Sequence, residues 1–243
     1  MTSNPIYVAI DTPDLGAATG LAATLADTAG GLKLGLEFFS ANGARGVQQV
    51  AKAGGGLPVF LDLKFHDIPN TVAGAVRAAC AARPAMLTVH AAGGRAMMEA
   101  ACKAAADGAR EHGVDRPLIV AVTVLTSLDQ GDLGDIGVTR ALDEQVRELA
   151  VLAKECHLDG VVCSPLEAAA LRAACGPRFK LVVPGIRPEW AGGDDQKRTL
   201  TPAEALGAGA DILVIGRPIT AAADPAAACR RILAELPREG ATC

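Results

Sequence analysis

Apolar positions along the chain fall into two alternating patterns. Short runs rich in Val, Ile and Leu occur at Tyr7–Asp11, Leu32–Gly35, Val59–Lys64, Met86–His90, Leu118–Val124, Gly160–Cys163, Leu181–Val183 and Ile212–Ile215. Their nearly unbroken hydrophobicity predicts parallel strands covered on both faces. Between them lie Ala-rich segments with helical periodicity, among them Ala17–Ala29, Thr71–Ala82, Ala96–His112 and Asp143–Glu155. Gly30-Gly31, Gly54-Gly55-Gly56, Gly113 and Gly176-Pro177 supply the stop signals.

Eight strands alternating with about eight helices leave two architectures, a closed (β/α)8 TIM barrel or a long doubly wound sheet. A nucleotide-binding doubly wound sheet places GxGxxG directly after an early strand. Here the first strand runs into Asp11-Thr12-Pro13-Asp14, and Gly54-Gly55-Gly56 precedes a strand instead of following one. With no linker, charge block or low-complexity segment, the pattern predicts a single barrel domain over residues 1–243.

Composition sharpens this. A length of 243 residues suits one α/β barrel, and 50% apolar content supplies a large core and excludes disorder. With aromatics at 3%, that core must be mainly aliphatic. Twenty-three basic against 27 acidic residues give a net charge of −4, which offers no general attraction for nucleic acid or an anionic membrane. No apolar run approaches the roughly 20 residues that span a bilayer, and the first residues lack the basic-then-apolar pattern of a secretory signal. Seven cysteines without CxxC spacing read as reduced, structural and cytoplasmic.

In such a barrel, chemistry sits at the C-terminal ends of the strands. Asp11, Lys33, Asp62, Lys64, His90, Thr126, Ser127, Arg187, Gly216 and Arg217 all fall at or just after those ends. One charged strand end is ordinarily a solvated rim residue or an ion pair, but several on one rim point to a site. His66 and His90 read more simply as packing or hydrogen-bonding residues. The sharpest segment is Asp62-Leu63-Lys64-Phe65-His66-Asp67. Residues 62 and 64 are two apart on a strand, so both side chains project to one face, the barrel interior. Desolvation there makes a carboxylate and an ammonium need each other. Lys33 on the adjacent strand and Asp67 just beyond make an alternating Lys–Asp–Lys–Asp array possible, which favours an ammonium at Lys64.

The second signal is Ile212-Leu213-Val214-Ile215-Gly216-Arg217-Pro218, a buried strand running into Gly-Arg. Loops after strands seven and eight commonly hold phosphate in these barrels. Gly216 permits close approach of an anion to the backbone, and Arg217 and Arg187 supply charge-assisted bonds. The long polar segment Pro188–Thr201 could close over that site or be simple loop variation; the residues alone leave both open.

Three motifs in order, Asp62 through Thr71 (DLKFHDIPNT), Asp-Asp-Gln-Lys-Arg at 194–198 and Ile-Gly-Arg-Pro at 215–218, together with Asp11 and Lys33, resemble the orotidine 5′-phosphate decarboxylase family in its short bacterial form. The likeness covers essentially the whole chain. One difference, Val183 before Pro184 where Thr is frequent, is expected to be harmless. The resemblance implies conversion of orotidine 5′-monophosphate (OMP) to UMP and carbon dioxide, without cofactor or metal. It assigns ribose hydroxyls to Asp11 and Lys33, the neighbourhood of the substrate carboxylate to Asp62, and protonation of C6 to Lys64. Asp67, Ile68 and Thr71 would reach the site of a second subunit in a homodimer with shared sites. Thr126 and Ser127 would contact ribose or the pyrimidine edge, and Gln196 would bridge pyrimidine and phosphate. Arg187, Gly216 and Arg217, beside Pro184, would grip the phosphate.

Two other readings stand beside it. Sugar-phosphate enzymes of the wider group share the Asp-x-Lys-x-x-Asp spacing and use magnesium, with Asp62 and Asp67 as conceivable ligands. Ile68-Pro69-Asn70-Thr71 and Gln196 favour the pyrimidine enzyme. A non-catalytic nucleotide-binding barrel is disfavoured by an intact Lys64 flanked by carboxylates.

Overall fold

The computed structural model describes residues 4–191 and 199–237. Eight parallel strands close a barrel in sequence order: β1 (Ile6–Ile10), β2 (Gly31–Gly35), β3 (Val59–Phe65), β4 (Met86–His90), β5 (Leu118–Val122), β6 (Gly160–Val162), β7 (Lys180–Val183) and β8 (Ile212–Ile215). β8 pairs with β1, so the sheet has no edge. The helices are α1 (Leu15–Leu25), α2 (Leu36–Ala53), α3 (Pro69–Cys80), α4 (Arg95–His112), α5 (Gln130–Asp135), α6 (Leu142–Glu155), α7 (Ala168–Cys175), α8 (Pro202–Gly207), α9 (Arg217–Thr220) and α10 (Pro225–Glu235).

The strand alternation sorts the core into two layers. Ile6, Val8 and Ile10 of β1 pack outward against the helices, while Tyr7 and Ala9 turn inward. The interior is filled by Tyr7, Ala9, Phe60, Met86, Val120, Val182, Ile212 and Val214. Gly31 pairs with Tyr7, and a Cβ there would sit 2.3 Å from the ring, so the glycine makes room for the only tyrosine. Lys33, Asp62 and Thr88 hold the same alternation as these inward residues, one step nearer the C-terminal end.

Local chemistry explains where the boundaries depart from expectation. The Asp14 carboxylate accepts from the Ala17 amide at 2.7 Å, so α1 begins at Leu15, before the expected Ala17. Pro69 opens α3, where its missing N–H and fixed φ suit the first turn. Gly113 closes α4 in the left-handed conformation at φ 60°. β1 stops at Ile10, leaving Asp11 one residue beyond the ladder. β5 ends at Val122 and not Val124, because the next residues leave the sheet, with the Thr123 hydroxyl bonded to the Val162 carbonyl at 3.2 Å. The short α5, fixed by a capping box at Asp129, was not anticipated.

The N-terminal end of the barrel is held by a repeated device. Asp159, just before β6, accepts from the Ile119 amide at 2.7 Å and pairs with Arg116. Asp211, just before β8, accepts from the Leu181 amide at 2.9 Å and pairs with Arg172 and Lys180. Each carboxylate ties its strand to the preceding one where the ladder begins.

Candidate active site

A cavity of about 310 Å³ opens at the C-terminal end of the barrel. Ala9, Phe60, Val122, Val162 and Val214 make an apolar floor; Asp11, Lys33, Asp62, Lys64, Arg187 and Arg217 place charge around it. Thr126, Pro184 and Gly216 also line it. Seven expected site residues besides Asp62 and Lys64 are thereby brought together at the ends of β1, β2, β5, β7 and β8. Phe60 was not among the expected contacts, so an aromatic ring is present in the floor of an otherwise aliphatic site.

Four of these charges form two pairs. Lys33 Nζ lies 3.1 Å from Asp11 Oδ1, and Lys64 Nζ lies 2.7 Å from Asp62 Oδ2. Asp62 and Lys33 are the more enclosed partners, with side chains 12% and 13% exposed, against 66% for Asp11. The continuous four-membered array is therefore not formed within one chain. Asp67 is exposed on the rim, where its carboxylate accepts from the adjacent Ile68 amide at 2.6 Å. Ile68 is 66% exposed, and neither it nor Thr71 lines the cavity of its own chain.

Asp62 and Lys64 do meet, but simple alternation is not the reason. The β3–β4 register passes from Leu61 opposite Leu87 to Phe65 opposite Val89, a bulge in β3. Lys64 sits in it at φ 50°, in the left-handed region that a side chain with a Cβ disfavours. Its amide bonds the Thr88 hydroxyl at 2.8 Å, and that hydroxyl donates to Asp62 Oδ1 at 2.9 Å. Thr88, fully buried in β4, was missed in sequence. A hydroxyl inside an apolar parallel strand needs a partner, which was the available signal.

His90, at the end of β4, is held below its ordinary value first by burial, then by His66 and Lys64, with Asp62 acting the other way. The His66 and His90 rings are 5.4 Å apart. Among the described residues, no three His, Cys, Asp or Glu side chains form a metal-binding group.

On the side of the rim beyond β7 and β8, Arg187 reaches the cavity, its amide bonded to the Leu200 carbonyl at 3.0 Å. A Cβ on Gly216 would meet nothing of the protein closer than Ala9 at 3.6 Å, so packing does not demand this glycine; the space beside it belongs to the cavity. Ser127 lies in an exposed turn and does not line the cavity, unlike Thr126. Gln196, with the rest of 194–198, lies outside the described residues. The described start of that connection is anchored: the Trp190 indole N–H donates to Glu235 Oε1 at 2.9 Å, and the Arg231 guanidinium lies 4.4 Å from the ring centre.

Fold and site define a (β/α)8 barrel carrying a cationic, lysine-bearing site on its C-terminal rim. Sequence comparison narrows this: the model of the orotidine 5′-phosphate decarboxylase/HUMPS family matches residues 4–232, and the chain belongs to that family. An orotidine 5′-phosphate decarboxylase of Rhodospirillum rubrum is 59% identical over 236 residues, 97% of this chain and 95% of the relative. That of Paramagnetospirillum magneticum is 57% identical over 233 residues, 96% of this chain and 98% of the relative. The crystal structure of the Lactobacillus acidophilus enzyme superposes with a TM-score of 0.86 at 35% identity, covering 97% of this chain and all of that one.

Proposed function

We propose that this chain is a carboxy-lyase of pyrimidine biosynthesis that converts OMP to UMP and carbon dioxide, with Lys64 as the proton donor. The activity rests on family membership and on relatives above 50% identity across nearly the whole chain, all bearing that name. Those names separate it from the sugar-phosphate branch of the family. The observation that carries the role of Lys64 is its 2.7 Å pairing with Asp62 in a partly apolar cavity.

The chemistry follows from the substrate. The bond between C6 and the carboxylate carbon breaks, carbon dioxide leaves, and the electron pair remains on C6. No adjacent carbonyl delocalises it. An ammonium at Lys64 stabilises that charge as it develops and delivers a proton to C6. Asp62 beside the substrate carboxylate disfavours the ground state more than the state in which charge has moved to C6. If each effect supplied about 4 kcal/mol, each would contribute about a thousandfold in rate. Binding of the remote phosphate by Arg187, Gly216 and Arg217 offsets the cost of bringing two carboxylates together. Asp11 and Lys33 take the ribose hydroxyls, Thr126 the ribose or pyrimidine edge, Pro184 the rim beside the phosphate, and Gln196 both base and phosphate.

The functional unit in this reading is a homodimer in the cytoplasm. Exposed Leu36, Ile68, Ile136 and Leu166 all lie in segments that follow strands, on the rim that carries the cavity, and such apolar exposure suits a self-complementary interface. Asp67, Ile68 and Thr71 would then enter the neighbouring site. Free cysteines throughout the described residues suit a reducing compartment, and no described helix is long and apolar enough to cross a membrane. The residues form one barrel domain, with no role for nucleic acid. Replacing Lys64 with alanine tests the mechanism: loss of OMP turnover, followed by ultraviolet absorbance, is expected, with UMP affinity retained within about tenfold. A Lys64→Ala variant that still turns over would remove Lys64 as the donor.

A further inference from the structure

The bulge in β3 and the threonine opposite it form a closed ring of hydrogen bonds. Lys64 Nζ donates to Asp62 Oδ2, the Thr88 hydroxyl donates to Asp62 Oδ1, and the Lys64 amide donates back to Thr88 Oγ1. A hydroxyl has one hydrogen. With the Lys64 amide directed at the oxygen, that hydrogen is committed to Asp62, so both partners fix its orientation. The ring spans the place where the β3–β4 ladder loses register and would leave the Lys64 amide without a carbonyl. It also supports Lys64 at φ 50°, a conformation its own Cβ opposes. Thr88 has no exposed surface and does not line the cavity. Any influence on the reaction must therefore pass through Asp62 and Lys64.

We propose that Thr88 is a positioning residue for decarboxylation: its single hydroxyl sets the plane of the Asp62 carboxylate and the backbone that aims Lys64 Nζ. The inference rests on the reading of Lys64 as proton donor and Asp62 as neighbour of the substrate carboxylate. A hydrophobic residue of the same shape at position 88 would fill the same volume in β4, yet would leave one carboxylate oxygen and one part-buried amide without their partners. The Lys64 side chain would keep its length and charge and lose its aim.

The test compares Thr88→Val and Thr88→Ser in the full chain, with kcat normalised to the number of UMP-binding sites. Loss of a hydrogen bond to a charged group together with an unpaired amide predicts a kcat for Thr88→Val lower by roughly 10- to 100-fold. KM for OMP and affinity for UMP are expected to stay within about threefold, because Thr88 touches neither ligand nor cavity. Thr88→Ser, which keeps the hydroxyl, is expected to hold kcat within about threefold of wild type. A purely structural threonine would lower the melting temperature of Thr88→Val while leaving kcat per binding site unchanged, and that result overturns the proposal. So does a serine variant as slow as the valine one. Thr88→Ala carries the same comparison should the valine variant not fold. Lys64→Ala runs in parallel. If it is inactive while Thr88→Val is fully active, the role of Thr88 alone falls; if it is active, the donor assignment falls and this inference with it.

Discussion

Asp67 faces solvent in its own chain and, among the described residues, bonds only the amide that follows it, so in the proposed reading its place in the charged array would depend on a second subunit. That dependence can be measured by mixing two inactive variants. In Lys64→Ala the proton donor is missing but Asp67 is intact; in Asp67→Ala the reverse holds. A site on the Asp67→Ala subunit that borrows Asp67 from a Lys64→Ala neighbour is complete, whereas the other site of that hybrid lacks both groups. Random reassortment of equal amounts makes about half of all dimers hybrids, each with one complete site in two, so activity should recover to about a quarter of wild type per subunit. The assay is OMP turnover by ultraviolet absorbance after dilution, mixing and reconcentration, with differently tagged subunits to establish exchange. Either variant alone sets the background. Recovery should scale with the hybrid fraction as the mixing ratio is varied, which separates complementation from contamination. Verified hybrids with no activity above background would refute a shared site and return Asp67 to the role of an exposed rim carboxylate.

Arg217→Ala should raise KM for OMP far more than it changes the melting temperature, since Arg217 is exposed on the cavity rim; wild-type enzyme that used orotidine without its phosphate as well as OMP would sink the phosphate assignment. His90 favours its neutral form in the folded chain, so its contribution to stability is full above its ordinary value of 6.5 and is lost as pH falls through the lower folded value. Urea unfolding between about pH 7 and pH 5 should therefore show a shallower decline in His90→Gln than in wild type, and equal slopes would count against it. Removal of Asp211 strands the Leu181 amide and takes the carboxylate from two partly buried cations, Arg172 and Lys180, whose side chains are 22% and 23% exposed. Asp211→Ala should cost about 3 kcal/mol and roughly 6–12 °C in Tm, with Asp211→Asn costing less because it keeps an acceptor for Leu181. A loss below about 1 kcal/mol in denaturant would show that the strand tie is dispensable.

The strand pattern made the barrel legible because parallel strands buried on both faces are apolar runs, and β4 and β8 begin and end where those runs do. The rim charges were legible for a related reason, since a polar residue stands out at the end of such a run. Position 64 resisted the same logic. Period-two alternation presumes an unbroken ladder, and whether β3 bulges depends on its pairing with β4, a contact more than 20 residues away that neither segment encodes alone. Thr88 was passed over because β-branched Thr fits a strand and looks neutral within Met-Leu-Thr-Val-His. Thr126 and Ser127 are chemically equivalent in sequence; the turn they share decides that only Thr126 lines the cavity.

The anchoring of Trp190 to α10 has an optical consequence. This is the only tryptophan in the chain, and a single tyrosine sits deep inside the barrel, so one indole dominates the protein's intrinsic fluorescence. That indole stands three residues from Arg187, between a guanidinium over its face and a carboxylate at its N–H. Both charges belong to the last helix, so a shift of the segment relative to α10 changes the electric field on the excited ring and the wavelength it emits. The molecule thus carries its own spectroscopic gauge next to the residue expected to grip the phosphate, readable without a label and without turnover.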